Sequence, residues 1–191
     1  MVIGLTIPVT IVLLFIHIIA TKMKTTFNDI AITLFGICYI IGFIVFIPLL
    51  YAADNGQFLI WYILIAAWGT DTFAYIIGMK CGKHKFSIIS PKKSIEGSIA
   101  GIVGAVAVSI IYTAGINHFT DLYIAFWYIA VVTLILSIFS QIGDLAASSI
   151  KRYADIKDFG ELLPGHGGIL DRIDSIIFIA PFAYFLLLGV M

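Results

Sequence analysis

Six apolar runs, at 2–20, 30–50, 57–79, 98–116, 122–142 and 169–190, occupy most of this chain. The hydrocarbon core of a bilayer is about 30 Å thick and takes roughly 20 apolar residues to cross as a helix. The sequence therefore predicts an all-α, polytopic membrane protein with about six transmembrane helices. Composition agrees: 61% of residues are hydrophobic and 12% charged, where soluble domains run near half and a quarter. No stretch is left over for a separate soluble domain. Residues 1–191 read as one membrane-embedded domain without internal repeat or flexible linker, and no nucleic-acid partner is expected.

No Lys or Arg precedes the first run, and its uncharged stretch is longer than the core of a signal peptide, so it reads as a membrane helix. Cys38 falls inside the second run and Cys81 in a basic loop, so two unpaired thiols are expected.

Charge placement orients the six spans. Loops 21–29, 80–97 and 143–168 fall on one side of the membrane, and loops 51–56 and 117–121 on the other. All 11 Lys and Arg belong to the first side or its helix ends: Lys22, Lys24, Lys80, Lys83, Lys85, Lys92, Lys93, Lys151, Arg152, Lys157 and Arg172. The opposite loops hold Asp54, His118 and Asp121 but no Lys or Arg. By the positive-inside rule the basic face is cytoplasmic. The formal net charge of zero conceals this asymmetry.

Four carboxylates stand within the spans or at their ends. Asp71 lies inside the third, nine residues before Lys80 and hence about 13 Å along a helix from the basic end. Asp144 follows Gly143 near the inner end of the fifth, and Asp171 and Asp174 open the sixth on one helical face. An ionisable group deep in a span costs about 2.5–3.5 kcal/mol even on the lenient insertion scale, and such groups normally mark a pathway or a site. Carboxylates gathered together repel unless cations join them, and an all-oxygen donor set suits Mg²⁺. Taken one at a time, Asp171 and Asp174 read equally as residues favouring a helix dipole.

The segment 148–174 concentrates the remaining polar chemistry. Its Pro164-Gly165-His166-Gly167-Gly168 turn leads into the sixth span, where backbone amides and a helix N-terminus favour an anion. Alone, such a turn reads better as an ordinary loop. Lys151, Arg152 and Lys157 alone are equally lipid-facing basic residues. In loop 80–97, Ser90-Pro91 fits an N-cap and first helical position. Lys92 and Lys93 would then sit in the first turn, opposing the dipole and suggesting an anionic partner.

Together these residues resemble a known family. Ser148-x-Ile150-Lys151-Arg152-x₄-Lys157-Asp158-x-Gly160-x₂-Leu163-Pro164-x-His166-Gly167-Gly168-Ile169-x-Asp171-Arg172-Ile173-Asp174 is similar to the signature of phosphatidate cytidylyltransferases, the CDP-diacylglycerol synthases. Asp71-Thr72-Phe73-Ala74-Tyr75, Gly82-Lys83 and Ser90-Pro91-Lys92-Lys93-Ser94-x-Glu96-Gly97 resemble further motifs of that family, in its order. The likeness runs from about residue 60 to the end. Members commonly carry additional N-terminal membrane helices, so a chain of 191 residues is expected to lack some of them.

The resemblance implies a nucleotidyltransferase of phospholipid biosynthesis. CTP and phosphatidate would give CDP-diacylglycerol and pyrophosphate with Mg²⁺, and with K⁺ as a second cation. It further implies a homodimer in the lipid bilayer with its active site facing the cytoplasm. Asp71, Asp144, Asp171 and Asp174 would hold the cations. Lys151, Arg152, Lys157, Arg172 and His166 would hold the triphosphate or pyrophosphate, with Gly167 and Gly168 in the phosphate-binding turn. Lys92 and Lys93 would complete that cage, and Ser148 would orient a metal ligand or a phosphate.

Two rival readings differ in what they expect. A transporter would spread its acids through both halves of the membrane, whereas these four lie toward one face. An enzyme acting on an isoprenoid-type lipid phosphate, or a CTP-dependent lipid kinase, would differ little in sequence.

Overall fold

The computed structural model describes residues 2–22, 24–85, 90, 93–160 and 167–189. The chain divides into two compact units, Met1–Phe43 and Ile44–Met191. In order it forms α1 (Val2–Ala20), α2 (Phe27–Ile44), α3 (Phe46–Ala52), α4 (Gly56–Leu64), a π-helical turn (Ile65–Gly69), α5 (Thr70–Cys81), α6 (Ile95–Phe119), α7 (Phe126–Tyr153) and α8 (Leu170–Leu188). Among the described residues no named strand occurs, and the chain is an all-α membrane protein. Among the described residues, four stretches are long and apolar enough to cross a bilayer: Phe27–Ala52, Gly56–Cys81, Ile95–Phe119 and Phe126–Tyr153.

In the first unit, α2 starts three residues before the apolar run does. The Thr26 hydroxyl accepts from the Asp29 amide at 3.3 Å, and the Asp29 carboxylate accepts from the Thr26 amide at 2.7 Å. This reciprocal cap satisfies N–H groups that a helix end otherwise leaves open. The helix breaks at Val45, before α3. Pro48 has no N–H to give to the Ile44 carbonyl one turn back, which ends the regular ladder there.

The second unit is built around α6, which packs against α5 on one side and α7 on the other, while α8 packs on α7. Its core contains Leu50, Leu59, Tyr62, Ile63, Leu136, Ile179 and Leu187, all essentially inaccessible. Phe139 of α7 and Phe182 of α8 stack with ring centroids 4.3 Å apart. At the end of α6, the Asn117 side chain donates to the Ile124 carbonyl at 2.9 Å and accepts from its amide at 2.8 Å, closing the short turn into α7.

Small residues set how closely α5 and α6 approach. A Cβ on Gly101 would stand 2.6 Å from the Thr70 carbonyl oxygen, and one on Gly97 would stand 2.7 Å from that of Ala74. Gly97 and Gly101 form the small-xxx-small spacing that lets membrane helices touch backbone to backbone.

Two boundaries differ from those read in the sequence. Ser90 does not cap α6; Ser94 does, its hydroxyl accepting from the Gly97 amide at 3.2 Å. Lys93 therefore precedes the helix instead of opposing its dipole from the first turn, and Lys92 lies outside the described residues. Helix α7 continues to Tyr153, eleven residues and about 16 Å beyond the apolar run that suggested it. Its added turns bring Asp144, Ser148, Lys151 and Arg152 onto a helix. Hydropathy falls where polar residues begin, but the ladder continues, with Asp144 paired to Lys93, Ser149 bonded to the Leu145 carbonyl and Lys151 to Asp171. Lys151 and Arg152 also suit the negative end of the helix dipole.

Candidate active site

A cavity of about 690 Å³ opens between α5, the start of α6 and α7. That volume is within the range of pockets that take a drug-sized ligand. Its walls include Asp71, Tyr75, Lys93, Ser94, Gln141 and Asp144. The π-helical turn ends at Gly69, so Asp71 sits in the first turn of α5 immediately beyond it. Such turns are inserted rarely and often at functional positions.

Lys93 forms an ion pair with Asp144, both side chains being about three-quarters shielded. Asp71 is within electrostatic reach of both partners. Two lysines, Lys85 and Lys93, and two carboxylates, Asp71 and Asp144, thus share the cavity wall, so both signs of charge face its interior.

Asp174, in the first turns of α8, is buried, and its Oδ1 accepts from the Ser175 amide at 2.7 Å. It feels Asp144, Asp71 and Lys151. Asp174 therefore connects the cavity acids to a second cluster around Asp171.

In that cluster Lys151 Nζ donates to Asp171 Oδ1 at 2.7 Å. Asp171 Oδ2 accepts from the Phe159 amide at 2.8 Å and the Gly168 amide at 3.0 Å. The Lys151 ammonium also lies 5.2 Å from the Phe159 ring centroid. Gly167 has φ +79°, a left-handed conformation that a residue with a Cβ rarely adopts. One carboxylate thus ties together α7, α8 and both described sides of the loop that joins them.

The residues singled out by sequence accordingly sort into two groups and a remainder. Asp71, Lys93 and Asp144 line the cavity; Lys151, Asp171, Gly167 and Gly168 form the neighbouring cluster; Asp174 connects them electrostatically. Ser148 is half-buried on α7, and Arg152, Lys157 and Arg172 are exposed. Lys92 and His166 lie outside the described residues. Among the described residues, no three His, Cys, Asp or Glu side chains stand together as a ready cation cage. Cys38 and Cys81 are free thiols.

Sequence reasoning missed Gln141, Ser94 and Ser98 as cavity residues. Gln141 is buried and donates to the Ser98 carbonyl at 3.1 Å. Its spacing from Asp144, three residues on one helix, was the available signal. A lone amide among apolar residues otherwise reads as core.

A helical membrane protein with acids and a lysine around a cavity near the basic end of its spans has the makings of a site for phosphates and a metal cation. The sequence profile of the cytidylyltransferase family matches residues 1–189, and the chain belongs to that family. It is 42% identical over 175 residues to a phosphatidate cytidylyltransferase of Staphylococcus haemolyticus, covering 90% of this chain and 64% of the relative. It is 41% identical over 179 residues to the Bacillus subtilis phosphatidate cytidylyltransferase, covering 93% of this chain and 65% of the relative. The chain thus spans slightly less than two thirds of the length of these relatives.

Proposed function

We propose that the chain transfers a cytidylyl group from CTP to phosphatidate, giving CDP-diacylglycerol and pyrophosphate in phospholipid biosynthesis. The observation that carries this reading is the cavity itself. It places Asp71, Asp144 and Lys93 together near the basic ends of the helices. A phosphate head group can enter there while its acyl chains stay in the bilayer. The names of the relatives and the family match support the same reaction.

The donor chemistry fits Mg²⁺. That ion keeps several waters and needs only one or two carboxylates in addition to substrate phosphates. Asp71 and Asp144 are those carboxylates, and Asp174 adds negative charge behind them. Asp71 and Asp144 would hold Mg²⁺ there, which, with K⁺ as a second cation, would supply positive charge to the triphosphate and pyrophosphate. Asp171, read from the sequence as a residue that would hold a cation, also organises its surroundings. Both its oxygens are engaged, so it fixes Lys151 and the Gly167-Gly168 turn in place.

No protein nucleophile is required. A phosphatidate phosphate oxygen attacks the α-phosphorus of CTP. The new P–O bond forms as the bond from that phosphorus to the oxygen bridging the β-phosphate breaks, and pyrophosphate departs. The protein contributes positioning and charge, as is general for transfers at phosphorus. Lys93 exchanges its Asp144 partner for a phosphate oxygen. Lys151, Arg152, Lys157 and Arg172, with Lys92 and His166, form the basic surround for the phosphates, and Ser148 orients them from α7. The basic loops and the site face the cytoplasm, and the protein works in the bilayer as a homodimer.

The test is transfer of label from CTP to the lipid phase with phosphatidate and Mg²⁺. α-³²P-CTP should label lipid, γ-³²P-CTP should not, and EDTA should abolish the signal. Labelling from the γ-position instead would identify a lipid kinase and overturn the proposal.

A further inference from the structure

Behind the cavity wall stands a carboxylate that does not itself line the cavity. Glu96, the second residue of α6, is the one acid in the sequence between Lys80 and Gly97, a stretch holding five lysines and a histidine. Its Oε2 accepts from the Lys83 amide at 3.2 Å, and both oxygens lie 3.3 Å from the His84 amide. His84 Nδ1 lies 2.6 Å from Oε1. The Ile95 amide donates back to the His84 carbonyl at 3.0 Å, and Lys85 pairs with Ser94 as an isolated antiparallel bridge. Residues 83–85 are thus fastened along 94–96.

The fastened residues are next to, or part of, the cavity wall. Lys85, Ser90, Lys93 and Ser94 all line it. The Lys93 amide donates to the Ser90 carbonyl at 3.1 Å, which extends the fixed backbone past the cap. Gly82 packs so closely on Gly78 and Ser94 that a Cβ there would meet Ser94 Cβ at 2.8 Å. A flexible basic loop would spread its lysines apart, since like charges repel and long side chains gain entropy by dispersing. A carboxylate accepting several N–H bonds at a helix N-terminus counters both tendencies.

We propose that Glu96, with His84, is a positioning residue that sets the cationic wall of the cavity for the nucleotide's phosphates. The inference rests on the cytidylyl-transfer reading. Glu96 touches neither substrate nor reacting atoms. Its loss should weaken nucleotide binding while leaving the chemical step of bound substrate nearly intact.

The experiment compares Glu96→Ala, Glu96→Gln and His84→Ala with the unaltered chain in detergent micelles. It measures the KM for CTP, kcat and thermal unfolding, and CTP binding by equilibrium dialysis in Mg²⁺ buffer. Removing a charge-assisted bond of this kind should raise the CTP KM and dialysis Kd about 10-fold in Glu96→Ala, with kcat within about 3-fold. Glu96→Gln, which keeps an acceptor oxygen, should fall between, and His84→Ala should show the smallest change. Lower thermal stability with unchanged CTP affinity would reduce Glu96 to a helix cap and overturn the proposal. So would a loss confined to kcat. If the unaltered chain binds CTP but labels no lipid, the reaction assignment fails, and the Glu96→Ala affinity still decides whether the clasp stands. If the unaltered chain binds no CTP, the reading beneath the clasp fails and the clasp fails with it.

Discussion

Lys93 and Asp171 each take part in a shielded ion pair, yet the two pairs do different work. Lys93 is a cavity cation held by Asp144, so truncating it removes a phosphate partner. Lys93→Ala should raise the CTP KM by about 10-fold or more, and Lys93→Arg should restore part of the loss, in steady-state assays. Asp171 is a buried organiser, its side chain 7% exposed. Asp171→Asn leaves the Lys151 ammonium without its carboxylate, a type of change that costs about 3 kcal/mol for a shielded pair. That variant should be cleaved faster within 154–169 by limited proteolysis and should lose turnover. Asp171→Asn with proteolysis and activity as in the unaltered chain would show that the Asp171–Lys151 cluster is dispensable. Asp71 was legible in the sequence because a carboxylate inside an apolar run is conspicuous, and Asp144 because it stands just beyond the end of one. The partners of Lys93 and Asp171 were not, because ion pairs across 20 to 51 positions depend on how helices dock, which residue type alone does not encode.

Helix existence was likewise legible where helix extent was not. Each apolar run corresponds to helix, but α7 runs eleven residues past its run and α6 begins at Ile95. Segment 143–153 reads as loop because Asp144, Ser148, Ser149, Lys151 and Arg152 interrupt its apolar residues. It is helical, with Asp144 paired to Lys93, Ser149 bonded to the Leu145 carbonyl and Lys151 to Asp171. The contact between α5 and α6 depends on glycines with no room for a Cβ. Gly101→Val should therefore force the helices apart, lowering thermal stability by about 1–3 kcal/mol, the usual cost of overpacking, and reducing activity with it. Gly36→Ala, where nothing lies within 4 Å of the added Cβ, should leave stability unchanged or slightly raised. Equal effects from the two substitutions, read by thermal melts in detergent, would contradict the close-packed contact.

At the scale of the molecule, the asymmetry of basic residues supports the proposed orientation, in which the nucleotide arrives from the cytoplasmic side. Cys81 is an exposed thiol at the end of α5 beside the cavity loop. In a Cys38→Ala background, a membrane-impermeant maleimide should label Cys81 in inside-out vesicles and leave it unmodified in right-side-out vesicles. Labelling only in right-side-out vesicles would invert the topology and exclude cytoplasmic CTP as donor. The central claim is narrower: the cavity between α5, α6 and α7 is where the cytidylyl group is transferred. It is tested most directly by the rate at which α-³²P-CTP labels phosphatidate in the unaltered chain and in Asp144→Asn, each confirmed folded by its melting curve. Asp144→Asn should be at least about 100-fold slower, the scale on which losing one charge-placing group at a reacting centre is felt. Transfer within a few-fold of the unaltered chain would show that the reaction takes place elsewhere.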